Sequence, residues 1–165
     1  RIAVEPLFPV MLTPACTADM AKQLAAEGPH GLARVTLLHD TPRRLDWREW
    51  LTAFPVDGVS ETSGDAFQNL DMATKAAVIG AGVVMADLVL CRDELETGAL
   101  VAPFPDLVCR ASVGDVCLVG ERSRWEAPKV RVFRDWARKA AQPDRDRLQH
   151  ADAGSGMERG AKGLR

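Results

Sequence analysis

Short apolar runs alternate with segments of helical period along this chain, and that alternation constrains its fold more than any other feature. The apolar runs lie within residues 3–12, at Val35 to Leu38, at Val83-Val84-Met85, at Leu100-Val101 and at Val116 to Val119. Runs this short, rich in β-branched residues and bounded by Gly, Pro and Asp, read as strands. The first is interrupted by Pro6 and Pro9, which places it at an edge or a crossover. Between the runs lie helices with legible ends. Thr17 is a good N-cap, Met20, Leu24 and Ala25 form an apolar stripe, and Gly28-Pro29 stops that helix. Asp46 and Glu49 resemble a capping box. Behind them Trp47, Trp50, Leu51 and Phe54 share one helical face up to Pro55. Asn69 caps a third helix, whose buried side is Leu70, Ala73, Ala76 and Ala77 and which ends at Gly80. A short helix is expected between Asp87 and Leu95, with Gly98 turning the chain. Pro128 opens a last helix lined by Val130, Phe133, Ala137 and Ala140. Strands alternating with helices predict an α/β layer structure with a largely parallel sheet flanked by helices.

Beyond Pro143 the pattern is lost. Residues 142–165 hold four glycines, nine charges of mixed sign and no aromatic ring, and they are expected to form a disordered tail. The 165 residues carry a net charge of −2, so no global basic field exists to hold nucleic acid. No stretch approaches the roughly 20 apolar residues of a membrane span, and residues 2–12 lack the pattern of a secretory signal. Cys16, Cys91, Cys109 and Cys117 form no C-x-x-C pair, and His30, His39 and His150 lie at no metal-ligand spacing from them. Reduced, mostly buried thiols in a cytoplasmic protein are expected, with no metal and no cofactor.

In open α/β sheets, ligands sit beyond the carboxyl ends of strands. The strand at Val35 to Leu38 therefore points His39, Asp40 and Thr41 at a candidate site, with Trp47 close behind. A hydroxyl, a carboxylate and an indole can orient a small polar ligand. The plainer reading stands beside it: Asp40 and Thr41 are turn formers, and Trp47 packs on the sheet. Ser63 to Phe67, the loop before the Asn69 helix, is the second candidate. His39 has no nucleophile or second acid positioned with it, and no G-x-S-x-G or P-loop occurs, so no enzyme is read. Arg43 and Arg44 beside Trp47 and Trp50 suggest nucleic-acid stacking less well than one buried helix face. The arginines at 122, 124, 131, 134 and 138 alternate with acids and read as a solvated surface.

Five segments in one colinear order carry a family resemblance. They are LFPVMLTP (Leu7–Pro14), LLHDTP followed by Trp47 and Trp50, NLDMATKAAVIGAGVVMADLVL (Asn69–Leu90), DELETGALVAPF (Asp93–Phe104) and PKVRVFRDWARKAA (Pro128–Ala141). The chain resembles the effector-binding domain of LysR-type transcriptional regulators, in the glycine-cleavage-activator-like subgroup, over residues 3–141. The resemblance implies a two-lobed fold like type 2 periplasmic binding proteins, with a small effector held between the lobes. It implies lobe two at about 10–112, a return segment to lobe one at about 113–141, and effector contacts from His39, Asp40, Thr41, Trp47, Ser63 and Phe67. The effector is expected to be an amino acid or organic acid, and the full-length form a homodimer or tetramer. The helix-turn-helix, linker helix and first half of lobe one have no counterpart here, so lobe one is expected to be incomplete and DNA binding to come only through an absent N-terminal domain. A solute-binding component of a transporter with the same fold is the alternative reading.

Overall fold

The computed structural model describes the backbone of residues 1–156 and the side-chain surroundings of residues 1–148. The chain divides into two compact units: Met11–Ala111, and Arg1–Val10 together with the chain from Ser112 onward. Strands β1 (Ile2–Ala15) and β5 (Cys109–Glu121) are each long enough to run from one unit into the other.

The Met11–Ala111 unit is built around β2 (Leu37–His39), β3 (Asp65–Ala66) and β4 (Val83–Asp87). The sheet order is β3-β2-β4-β1-β5. β2 is parallel to both β3 and β4, with Leu38 opposite Asp65 on one side and Val84 on the other. β1 pairs antiparallel with β4, with Leu12 opposite Asp87. The sheet is therefore mixed, parallel over β3-β2-β4, where the sequence suggested a largely parallel one. The period-2 signal is blind to strand direction, which long-range pairing decides. Gly82 lets β2 and β4 approach closely, since a Cβ there would lie 2.2 Å from the Thr36 carbonyl oxygen.

In this unit the helices are α1 (Ala18–Glu27), α2 (Leu45–Ala53), α3 (Leu70–Val78) and α4 (Arg92–Thr97), and the second unit holds α5 (Pro128–Gly156). α3 lays Ala73 and Ala77 onto Leu38, Val84 and Ala86, and Phe67, Leu70 and Leu95 close the rim of that core. Small residues on α3 allow the helix axis to come near the strands. Its start is fixed by Asn69, whose side-chain oxygen accepts the Met72 N–H at 3.0 Å. Asn69→Ala is expected to cost about 1 kcal/mol, read as a lower denaturant midpoint at unchanged slope, with Asn69→Asp avoiding most of that loss.

Two expected caps differ. Thr17 occupies the position before α1 and its carbonyl accepts the Ala21 N–H at 2.9 Å, but its side chain makes no capping bond. Asp46 does not cap α2. That helix starts after Arg44, in the left-handed region at φ 53°, and the Asp46 carboxylate is taken up elsewhere. At the end of β4, buried Asp87 accepts N–H groups from Met11 at 3.1 Å and from Val89 and Leu90 at 2.8 Å, ordering the turn into α4.

In the second unit, α5 begins at Pro128, where a missing N–H costs nothing. It does not end at Ala141. It continues through Pro143 to Gly156, against the disordered tail expected from 142 onward; the remainder of that segment, 157–165, lies outside the described residues. Ala137, Ala141, Asp144 and Leu148 are buried at spacings of four, three and four, so one helical face stays covered past the proline. That burial offsets the lost backbone bond.

Arg134 does not behave as part of a solvated surface. It pairs with Glu5 at 2.8 Å and Glu126 at 3.2 Å, donates to the Trp125 carbonyl and lies 4.4 Å from the centre of the Trp125 ring. Hydrogen bonding from Arg138, and then from Arg134, holds the Glu5 carboxyl below its ordinary range against the opposing effect of burial. Glu5 is 129 residues from Arg134, a separation no local pattern can reveal. Trp125, Val130, Phe133 and Arg134 also line a groove of about 340 Å³ in this unit.

The cysteines are free. Burial pushes the Cys16 and Cys109 thiols up to about 11, which keeps them protonated and unreactive near neutral pH.

Candidate functional site

The carboxyl ends of β2 and β3 lie side by side, with His39 opposite Ala66 and the Phe67 N–H donating to the His39 carbonyl at 3.0 Å. One loop, at 40–44, leaves the carboxyl end of β2 for α2, and another, at 60–64, enters β3 at its amino end beside Leu37. The structure brings all six candidate residues to these loops and their supports, but it divides them into two sets.

His39 and Trp47 form the closed set. Both are fully buried. His39 Nδ1 lies 2.9 Å from Asp46 Oδ1, and Nε2 lies 2.7 Å from the Ser63 carbonyl oxygen. Trp47 donates its indole N–H to the Leu38 carbonyl at 3.2 Å and packs edge-on against Trp50 at 6.1 Å. Trp50 in turn donates to the Leu107 carbonyl at 2.9 Å. The protein's own acceptors take up the ring nitrogens of His39 and the indole N–H of Trp47, as in the plainer reading in which Trp47 packs on the sheet. The tryptophan spacing carried this information, because two indoles three residues apart on a helix beside a sheet bury one continuous face.

Asp40, Thr41, Ser63 and Phe67 form the open set. Asp40, Thr41 and Phe67 are half-buried and Ser63 is exposed. The Asp40 N–H donates to Asp46 Oδ2 at 2.9 Å. Burial pushes the Asp40 carboxyl above its ordinary range and the neighbouring Asp46 charge adds to this, while bonds from Thr41 and the charge of His39 oppose it. The Ser63 hydroxyl donates to the Ser60 carbonyl at 2.9 Å. Phe67 packs against the core under α3.

The loop at 60–64 is held at three further points. Arg44 donates to the Thr62 carbonyl, Arg48 Nε pairs with Glu61 at 2.8 Å, and Gly64 at φ 89° passes so near β2 that a Cβ would lie 2.0 Å from the Leu37 carbonyl oxygen. None of Asp46, Arg44 and Gly64 stood out as supports in the sequence. Asp46 was visible as an acid in the first turn of a helix, but its partner is fixed by the fold. Thr13 is a further residue that sequence reasoning missed. It is 1% exposed, and its hydroxyl has no hydrogen-bond partner among the described residues.

Parallel strands whose carboxyl ends carry short polar loops, in a mixed α/β sheet flanked by helices, define the periplasmic-binding-protein-like class of ligand-binding domains. A family model described as the LysR substrate binding domain matches residues 1–142. The chain belongs to this family, which is one of transcriptional regulators and not of enzymes. It is 32% identical over 152 residues to the glycine cleavage system transcriptional activator of Escherichia coli K12, covering 90% of this chain and 49% of that protein. It is 28% identical to the transcriptional regulator DsdC of the same organism, covering 77% of this chain and 42% of that one. Among solved structures, the effector domain of AmpR from Pseudomonas aeruginosa superposes with a TM-score of 0.76 at 27% identity, over 89% of this chain and 69% of that one. The chain thus spans about half the length of the curated relatives it matches. These matches favour regulation over the transporter alternative. Among the described residues, no helix is long and apolar enough to cross a membrane.

Proposed function

We propose that this chain is the ligand-sensing part of a cytoplasmic DNA-binding regulator, and that Asp40, Thr41, Ser63 and Phe67 contribute to the site where its effector is held. The observation that supports this reading most directly is the family match over residues 1–142, taken with the position of Asp40, Thr41 and Phe67 just beyond the carboxyl ends of adjacent parallel strands, and of Ser63 on the loop that enters β3. The effector is a small polar metabolite, an amino acid or organic acid. A half-buried carboxyl, two hydroxyls and one aromatic edge suit an amino acid, whose ammonium group Asp40 can accept. His39 and Asp46 tie the two loops together over the buried Trp47. In the full regulator, a homodimer or tetramer, the effector shifts the arrangement of subunits by its differential affinity for the alternatives, and so alters how attached DNA-binding domains meet their operator.

The test is a calorimetric titration against a panel of amino and organic acids, followed by operator footprinting of the full regulator with the acid that binds. Asp40→Asn is expected to weaken that binding at least tenfold with little change in melting temperature. A regulator whose footprint no metabolite alters, or an Asp40→Asn variant that binds as tightly as its parent, would sink the proposal.

A further inference from the structure

Arg44 is the one residue other than glycine with a positive φ among the described residues, at 53°. A side chain held there carries a conformational cost that glycine escapes, and such outliers gather at ligand clamps. The loops fix this arginine at both ends. Its backbone N–H donates to the Thr41 carbonyl at 3.1 Å, which folds the 40–44 loop back on itself. Its Nη1 donates to the Thr62 carbonyl. The guanidinium therefore reaches from the loop that carries Asp40 and Thr41 to the loop that carries Ser63. A guanidinium has five N–H donors in one plane. The Thr62 carbonyl takes one, and no further hydrogen bond or ion pair engages the rest among the described residues. The neighbouring arginines differ. Arg48 is closed by its ion pair with Glu61 at 2.8 Å, and Arg43 is exposed, where water competes for any anion. Arg44 is half-buried.

We propose that Arg44 is the carboxylate anchor of the effector site and that, with Asp40, it restricts the effector to zwitterionic amino acids. This assignment rests on the reading of Asp40, Thr41, Ser63 and Phe67 as effector contacts, and it supplies the cation that this set lacks.

The two side chains divide the ligand between them. The open edge of a guanidinium presents N–H groups in a fork that matches both oxygens of a carboxylate. Asp40 offers the opposite charge on the same short loop. The Asp46 charge works against ionised Asp40, so an ammonium group brought to Asp40 is favoured there. An amino acid carries its ammonium and carboxylate on a single carbon and can meet both groups at once. An organic acid would satisfy Arg44 and leave Asp40 without a cation, and a simple amine would do the reverse. The double fixing of Arg44, at its backbone and at the Thr62 carbonyl, also means that little side-chain freedom remains to be lost when the carboxylate arrives.

The test is a titration followed by chemical shifts of the backbone amides, which reads weak binding as well as tight. The probes are the standard amino acids, added singly, and, for the one that binds most tightly, the amine that lacks its carboxyl and the acid that lacks its amino group. In the unmodified protein each of these halves is expected to bind at least about tenfold more weakly than the amino acid. Arg44→Gln keeps an amide N–H₂ for the Thr62 carbonyl and removes the charge. It should weaken the amino acid by about tenfold to a hundredfold, the range for hydrogen bonds to a charged group, and leave the affinity for the amine unchanged. A disturbed loop would weaken both, so this split separates a ligand contact from a loop support. Arg44→Gly, which relaxes the backbone, should show the same split if Arg44→Gln fails to fold. Either variant binding the amino acid as tightly as its parent, equal weakening of amino acid and amine, or an unmodified protein that binds one half as well as the whole overturns the anchor and leaves Asp40 in the site. Binding of organic acids with no binding of amino acids also overturns the anchor alone, whereas binding of neither class removes the anchor and the effector site together.

Discussion

Trp47→Ala is expected to lower the unfolding free energy by about 3–5 kcal/mol, the range for removing a large aromatic side chain from a packed interior. The indole is 0% exposed, lies edge-on to Trp50 at 75° and gives its N–H to the Leu38 carbonyl. Alanine leaves a cavity between α2 and β2 that the sheet cannot close without moving His39, the next residue on that strand. The neighbouring Trp50 ring would lose its edge-on partner, while keeping Phe54 at 5.4 Å and its bond to the Leu107 carbonyl. Ordinary domains have only about 5–15 kcal/mol in total, so the loss is a large share of what holds the chain folded. Trp47→Phe retains most of the volume but leaves the Leu38 carbonyl without the indole donor, and should cost about 1–2 kcal/mol. Urea unfolding followed by circular dichroism measures both, as a lower midpoint at unchanged slope. The same experiment separates a core residue from a ligand wall. A Trp47→Ala protein within about 1 kcal/mol of its parent would mean that the ring is dispensable to folding, and would return it to the set of residues facing the effector.

The contrast between those two readings of Trp47 shows which parts of the protein are legible in a sequence. Elements whose signal is local are legible. The Asn69 cap, the small-residue face of α3, the run at Val83 to Met85 and the proline that opens α5 each carry their own evidence within a few residues. The loop after β2 offers a candidate site because ligands sit beyond the carboxyl ends of parallel strands, and Ser63 to Phe67 offers a second as the loop before the Asn69 helix. The facing of each side chain within them was not legible. His39 follows an apolar run and reads as either a ligand contact or a structural hydrogen-bonder, and its two partners, seven and 24 residues away, are fixed only by the fold. Asp46 carries the mark of a first-turn helix acid and serves as the hub between two loops instead. Direction and length of strands were lost for a similar reason. β5 covers Cys109–Glu121, whereas the sequence marks only Val116 to Val119, because the residues before it mix Arg, Ser, Gly and Asp with the apolar ones. Pairing along a neighbour supplies the order that composition does not. The helix beyond Pro143 is the opposite case, where a strong local breaker is overridden by burial of Ala141 and Leu148 on one face. The family resemblance succeeded where local reasoning stopped because it rests on the order of five segments, and order along the chain is what a shared fold preserves.

Gly64→Ala should be the most damaging small substitution in the Met11–Ala111 unit. Two effects combine there. The backbone lies at φ 89°, a region that L side chains enter at about 1–2 kcal/mol. The added Cβ would also lie 2.0 Å from the Leu37 oxygen and 2.8 Å from the Leu37 carbonyl carbon, both main-chain atoms of β2 that cannot rotate away. Relief requires β3 to withdraw from β2, and this breaks the pairing of Leu38 with Asp65 and strains the bond from His39 to the Ser63 carbonyl. Gly58→Ala supplies the comparison. Its φ is 82°, but the nearest atom to an added Cβ is the Ala33 Cβ at 4.0 Å, so only the conformational cost applies. The expected result is a loss of about 1–2 kcal/mol for Gly58→Ala and more than about 3 kcal/mol for Gly64→Ala. Hydrogen exchange at 61–67 should accelerate in the second variant alone. Equal losses in the two variants would show that the close approach of the 60–64 loop to β2 does not hold the site together, and that the loop is positioned by its polar contacts to Arg44, Arg48 and His39 instead.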